Sequence, residues 1–425
     1  MNAVSFAATQ IDSDESMRRR ICQLQFDPKG VPKHHYGPAK CPKNSCYRVN
    51  RCAYPIRLHI CTCYITQNVF FKESNEKKMS TNGYGHGMAR AASHAESNEK
   101  KMSTNGYGHG MARAASHAGS WYSSNPKELD RQISRWLDAA GDRVGAARAI
   151  VSPHAGYSYC GDTAAHAFKQ IVPENVYVFL FHRFGAVFSF LLDFGHYRLH
   201  SLDRVFVLGP SHVVCLNGCA LTTCSRYRTP IGDLHIDMEV NDELRATRQF
   251  DLMDRSDEEA EHSIEMQMPF IAKVMEGNPN VTIIPVLVGS LTPPKQQAYG
   301  KIFANYLENP RNLFVISSDF CHWGNRFHFA PHNPNSGLAI YEQITQLDRD
   351  GMDAIETLNP QIFNDYLKRT QNTICGRNPI TVMLQAAEHF RMMNNHTHEF
   401  RFLKYSQSNK VRLKRSLFQC DLRYF

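Results

Sequence analysis

Three apolar runs of strand length in this chain end alike, in small polar residues followed by histidine. They are Ile150-Val-Ser-Pro-His154-Ala-Gly-Tyr157, Val207-Leu-Gly-Pro-Ser-His212 and Val315-Ile-Ser-Ser-Asp319-Phe-Cys-His322. In an open α/β sheet, ligands bind in the crevice beyond the carboxyl ends of the strands. Three separate strands therefore deliver imidazole to one edge, and the third also brings Asp319. A lone histidine is usually structural, but three at equivalent strand ends with a carboxylate beside one of them point to a site.

The rest of the pattern agrees with such a sheet. Ala149–Val151, Val205–Leu208, Thr282–Val288 and Leu313–Ile316 read as buried strands, and helical spacing lies between them at 162–171, 263–275, 295–307, 337–347, 360–368 and 379–391. Asn125-Pro126 supplies a cap and first-turn pair for a helix carrying Leu129, Ile133, Trp136 and Leu137 on one face. Alternation of this kind predicts an α/β fold, a single domain with a mainly parallel sheet flanked by helices.

The domain is expected to occupy 116–409. Residues 1–115 read as a poorly ordered extension, with only Tyr54–Phe71 apolar enough for a local strand. Within it ESNEKKMSTNGYGHGMARAASHA, at 73–95, recurs unchanged at 96–118, so the second copy runs into the domain. Two copies with no apolar face to stack are not a solenoid. Residues 177–202 form an insertion where a connection of a few residues is usual. Its longest apolar run, Phe184–Leu192, is too short to cross a membrane, and no membrane insertion is expected.

The net charge of +8 belongs to the ends of the chain. Residues 1–118 hold 17 Lys+Arg against 8 Asp+Glu and residues 410–425 hold 5 against 1, which leaves 26 against 31 for 119–409. A mildly acidic body argues against a nucleic-acid partner. The first residues lack the order of a secretory signal, so the 13 cysteines are expected as free thiols. Cys41, Cys46, Cys61 and Cys63 do not match a familiar zinc spacing.

Imidazoles with a carboxylate suit iron, zinc or copper, depending on the further ligand. Cys375, shortly before a helix predicted to begin at Pro379 and close to Arg377, is the candidate thiolate. A buried cysteine acting as a small hydrophobe is the plainer reading of that segment. On Glu261-His262-Ser-Ile-Glu265, read as the start of a helix, His262 and the carboxylates could supply a general base or orient a metal-bound histidine; a charged helix start is the alternative. Trp121 could wall a pocket or pack in the core. No Walker loop, G-x-G-x-x-G after a strand or G-x-S-x-G elbow occurs.

SHAGSWY (116–122), PHAGYSYCG (153–161), VLGPSH (207–212), EHSIEMQMP (261–269), IIPVLVG (283–289), SSDFCHWG (317–324) and TICGRNPI (373–380), in this order, resemble the Memo family, mediators of ErbB-driven cell motility. The resemblance covers about 116–408. It implies a fold similar to class III extradiol dioxygenases and metal-site residues at His154, His212, Asp319, His322 and Cys375. It also implies a copper or iron ion and Trp121 as a pocket residue; His262 and Arg377 are read as pocket residues from their own segments. A further implication is a cytosolic and nuclear signalling effector that influences cytoskeleton, motility and reactive oxygen species and binds phosphotyrosine-containing receptor segments or adaptors. A metal-dependent oxidoreductase is the enzyme class it admits; against an extradiol-type dioxygenase stands the unusual cysteine ligand. Residues 410–425 depart from the family ending, which should supply a terminal sheet element.

Overall fold

The computed structural model describes residues 2–11, 111–173, 201–394 and 397–412. All of them belong to one contact unit, Met1–Gln23 with Thr104–Phe425. The elements run β1 (Asn2–Ile11), β2 (Ala112–Arg113), α1 (Pro126–Ala139), β3 (Ala147–Ser152), α2 (Tyr157–Phe168), β4 (Arg204–Pro210), β5 (Cys219–Leu221), β6 (Arg226–Tyr227) and β7 (Leu234–Ile236). They continue as α3 (Met238–Ala246), β8 (Phe250–Leu252), α4 (Arg255–Ala260), α5 (Met268–Val274), β9 (Thr282–Val288), α6 (Pro293–Glu308), β10 (Asn312–Ser317), α7 (Ile340–Glu356), α8 (Pro360–Thr370), α9 (Arg377–Asn394) and β11 (Thr397–Gln407).

One sheet carries the fold, in the order β11-β1-β3-β10-β4-β9-β7-β6-β2, with β5 paired to β9 and β8 to β5. The strands β3, β10, β4, β9 and β7 are all parallel, whereas β1 is antiparallel to both of its neighbours. Successive side chains point to opposite faces. Phe206, Leu208, Ile284, Val286, Phe314 and Ile316 thus join Tyr299, Phe303, Met352 and Leu384 on one side. Val205, Val207, Ile283, Leu313 and Val315 meet Leu129, Ile133, Phe168 and Phe270 on the other. Helices cover both faces, which is why the central strands read as unbroken apolar runs.

The helix starts follow their capping chemistry. Asn125 accepts the Glu128 amide ahead of Pro126 in α1, and Asn359 accepts those of Gln361 and Ile362 ahead of Pro360 in α8. The helix expected over 263–275 is instead a 3-10 turn, Glu265–Gln267, leading into the shorter α5. Helix α9 starts at Arg377, two residues before the expected Pro379.

The reading of 1–115 as a poorly ordered extension needs correction at both ends. β1 lies inside the sheet between β3 and β11. Its two-residue period puts Val4, Phe6 and Ala8 into one core and Ala7 into the other. The Phe6 ring contacts Phe320, Phe400 and Phe402 at centroid distances of 6.0–6.3 Å. At the other end Ala112–Arg113 forms β2. The Tyr54–Phe71 strand, the Cys41–Cys63 segment and most of the repeat lie outside the described residues. So do the insertion up to residue 200 and the tail from 413. The terminal sheet element is supplied by β11, which pairs with β1 from Thr397 to Gln407.

Because Phe6 is fully buried, Phe6→Ala is expected to destabilise the protein by about 3–5 kcal/mol, the usual cost of truncating a core phenylalanine. Urea unfolding measures this. A change within about 0.5 kcal/mol, as at a surface position, would contradict the placement of β1 in the core.

Candidate metal centre

Strands β3, β10 and β4 are adjacent and parallel, with Ser152 opposite Ser317 and Ile316 opposite Leu208. Their carboxyl ends therefore emerge side by side. His154 lies two residues past β3, His212 two past β4, and Asp319 and His322 follow β10. Cys375 enters from the turn before α9. The chain can pass closely there because Gly376 lies against Ser317 and Ser318, where a Cβ would collide. The Gly376 amide donates to Ser318 Oγ at 3.1 Å.

These groups line one cleft of about 730 Å³, together with His117, Trp121, His262, Phe327 and Arg377. Ring nitrogens of His154, His212 and His262 lie within 4.8 Å of one another. Cys375 Sγ is 3.2 Å from His154 Nε2. Two ligands of one tetrahedral ion, bound at roughly 2.0–2.3 Å, stand about 3.3–3.8 Å apart, so the cysteine–histidine spacing is close to what a shared ion requires.

The imidazoles are held from behind. Ser317 Oγ accepts from Gln267 Nε2 at 2.9 Å and donates to the Ser263 carbonyl at 2.6 Å. Its single proton is thereby used, so His154 Nδ1, 2.8 Å away, is the donor in that contact and its Nε2 carries a bare lone pair. His322 Nδ1 faces the Thr373 carbonyl at 2.9 Å and donates likewise. His212 Nδ1 donates to Glu261 at 3.0 Å and His117 Nδ1 to Glu265 at 2.8 Å. A partner that fixes Nδ1 and presents Nε2 is the arrangement that orients metal-binding histidines.

Electrostatics favour neutral rings at most positions. Burial, then the neighbouring His212 and His262, hold His154 well below the ordinary imidazole range. Burial likewise brings His262 and His322 down to about 4. His212 differs. Burial lowers it, but hydrogen bonds to Cys375 and Glu261 outweigh burial and push it up to about 10. A cation bound at its Nε2 would replace that proton, so metal binding and proton release are linked. Asp319 Oδ1 accepts the His154 amide at 3.0 Å, while buried Oδ2 has no hydrogen-bond partner among the described residues. Burial pushes this carboxyl up.

The cleft thus gathers His154, His212, Asp319, His322, Cys375, Trp121, His262 and Arg377, with a different emphasis, while Glu261 and Glu265 stand behind its lining. His262 belongs to the tight histidine group, whereas Asp319 and His322 fall outside it. Trp121 packs on His262 at 4.5 Å between ring centroids, and Arg377 lines the cleft. Glu261 takes the orienting part weighed for its segment, through the His212 amide at 2.6 Å as well as the ring. His117 was not among the expected site residues; its place in the SHAGSWY motif, four residues before Trp121, was the available signal.

Comparison with known proteins bears on this site. The sequence model of the Memo family, described as Memo-like protein, matches residues 113–184 and 193–418. The chain belongs to the Memo family. Its sheet and flanking helices accord with the class III extradiol dioxygenase-like fold of that family. Protein memo-1 homolog of Caenorhabditis elegans is 62% identical over 338 residues, 80% of this chain and 82% of the relative. MEMO1 of Xenopus laevis and of Homo sapiens are 46% and 45% identical over 295 residues, 69% of this chain and 90% of each relative. The family match is interrupted at 185–192, a shorter break than the expected insertion at 177–202.

Below the cleft the Glu265 carboxylate is nearly fully buried. Burial alone would raise it, yet hydrogen bonding to His117 and the Arg113 charge hold it down at about 2, against a usual 4.5. A depressed carboxyl contributes stability that is complete above the unfolded value and is lost as pH falls toward the folded one. Urea unfolding is therefore expected to show stability falling between about pH 5 and 2, with roughly 2–3 kcal/mol of the loss owed to this group. Glu265→Gln should show a correspondingly shallower acid slope from a lower stability at pH 7; an unchanged slope would refute the assignment.

Proposed function

We propose that this Memo-family chain is a signalling effector of the cytosol and nucleus whose cleft binds a copper or iron ion. His154, His212 and Cys375 hold the ion, His262 adjoins them, and Asp319 and His322 line the same space. The observation that carries this reading is the set of imidazoles whose Nδ1 atoms are fixed by Ser317, Glu261 and Thr373, with a thiol 3.2 Å from one Nε2. Thiolate with imidazole favours a soft or borderline metal. Bound copper or iron supplies one-electron chemistry, the link to reactive oxygen species and, through them, to cytoskeleton and motility.

The protein's own groups have separable tasks. Glu261 fixes the His212 ring and its backbone, Ser317 fixes the His154 tautomer, and Trp121 closes one side over His262. A second reading draws on Trp121 and Arg377 in the same cleft: the aromatic face and the guanidinium would receive a phosphotyrosine side chain from a receptor segment or an adaptor.

Metal analysis of protein purified without chelator tests the first reading. About one ion per wild-type chain is expected, and a tenth of that or less in His212→Ala and Cys375→Ser. Equal, substoichiometric metal in all three would remove it. Titration with phosphorylated and unphosphorylated tyrosine peptides, before and after metal removal, separates the second. Phosphate-dependent binding that survives removal favours a peptide-receiving cleft.

A further inference from the structure

Arg113 lies in β2, away from the cleft lining, and its side chain is fully buried. All its donors are spent. Nε and Nη2 donate to the Glu258 carbonyl at 3.1 and 2.8 Å, and Nη2 also to the Glu261 carbonyl at 2.8 Å. Nη1 donates to the Ala114 carbonyl at 2.7 Å and to Glu265 Oε2 at 2.6 Å. One guanidinium thus ties three points of the 258–265 turn to one another. Glu261 is the middle point, and His262 lies between it and Glu265.

Glu265 extends the tie to the opposite wall. Its Oε2 also takes the His117 ring, while Oε1 accepts the His117 amide at 2.9 Å and the Tyr122 hydroxyl at 2.7 Å. The 117–122 loop presents Trp121 to the His262 ring. On the other side of the turn, Glu261 grips the His212 amide and ring and the Ser263 amide. The separation of these walls is therefore set by a buried ion pair. Such a pair is weak evidence for stability by itself, because desolvation offsets its attraction, and a role in fixing one geometry is the better account of it.

We propose that Arg113 and Glu265 are positioning residues for the metal centre: they fix the Glu261–His262 turn against the Trp121 loop and so set metal affinity without touching the ion. The proposal deepens the metal-binding reading above and rests on it. Lysine cannot reproduce the arrangement, since one ammonium cannot span the Glu258, Glu261 and Glu265 acceptors as the planar guanidinium does.

The test uses the full chain with cobalt(II) as the probe, its affinity measured by competition with a chromophoric chelator and its geometry by absorption. Arg113→Lys and Glu265→Gln are compared with wild type and with Phe303→Leu, a core change in the opposite layer that controls for lost stability. Both positioning variants are expected to keep native circular dichroism and to lose about 10- to 100-fold in affinity, the usual effect of removing an orienting partner. Phe303→Leu should keep wild-type affinity. Wild-type affinity and spectrum in the two folded variants would overturn the proposal, and so would failure of both to fold.

If wild type itself binds no cobalt, the metal-binding reading fails, while nitrogen-15 spectra of the histidine rings still decide the positioning role. A single resonance for a hydrogen-bonded Nδ1–H is expected for each of His117 and His212 in wild type, held by Glu265 and Glu261. That uniqueness should be lost in Arg113→Lys; unchanged ring signals would sink the positioning role.

Discussion

Three parallel strands side by side, β3, β10 and β4, are the constraint on which the site depends. The chain lays down β3 and β4 first and fills the slot between them with β10 much later. Strands one place apart stand about 4.8 Å from each other, so β3 and β4 are roughly 10 Å apart across β10. Imidazoles leaning inward from the two outer strand ends close that gap to 5.2 Å between the His154 and His212 rings. The turn before α9 then brings Cys375 against the loop after β10, where the Asp319 amide meets its sulfur at 3.2 Å. An antiparallel neighbour in the middle of this group would send its following loop to the opposite edge.

Such a gathering of polar groups is costly to bury, and the supporting contacts show how the cost is met. The rings of His154, His212 and His322 each have an acceptor for Nδ1, and the acceptors are themselves bonded. Ser317 is shared among His154, Gln267 and Ser263, and Thr373 answers His322 through both its hydroxyl and its carbonyl. Satisfied networks of this kind hold a single arrangement, whereas a half-satisfied one would cost more than an apolar core. Asp319 Oδ2 has no such partner among the described residues, and the sulfur of Cys375, which takes the Asp319 amide, also faces the Nε2 of His154.

Much of this was legible in the sequence because burial on both faces leaves an unmistakable mark. The four central strands appear as apolar runs, and the three histidine-bearing loops follow from where those runs end. What escaped did so for identifiable reasons. β1 has a clear two-residue period in Val4, Phe6 and Ala8, but a long basic stretch separates it from the domain, and nothing local says which strand it joins. Arg113 belongs to a repeat in which Arg90 has the identical surroundings on its amino side, and only the Gly-Ser-Trp-Tyr that follows the second copy distinguishes them. His262 was noticed, yet its entry into the histidine group depends on α4 ending at Ala260 and the chain turning there, which helical spacing does not reveal.

The strand at the far end of the sequence is not remote from the site. Asp348, fully buried on α7, accepts from Asn2 of β1, from Tyr405 of β11 at 3.0 Å, from the Cys321 amide at 3.2 Å and from Asn372 at 2.9 Å. The Asn2 carbonyl in turn accepts the Phe320 amide at 2.8 Å. One carboxylate therefore joins the two outer strands to both loops that carry His322 and Cys375. Those loops are further fastened to each other by Thr373. Withdrawing β1 would strip Asp348 and Phe320 of partners at the same moment that it exposes Phe6. The energy of seating this strand and the energy of holding half of the cleft are thus drawn from the same contacts, and the chain cannot spend one without the other.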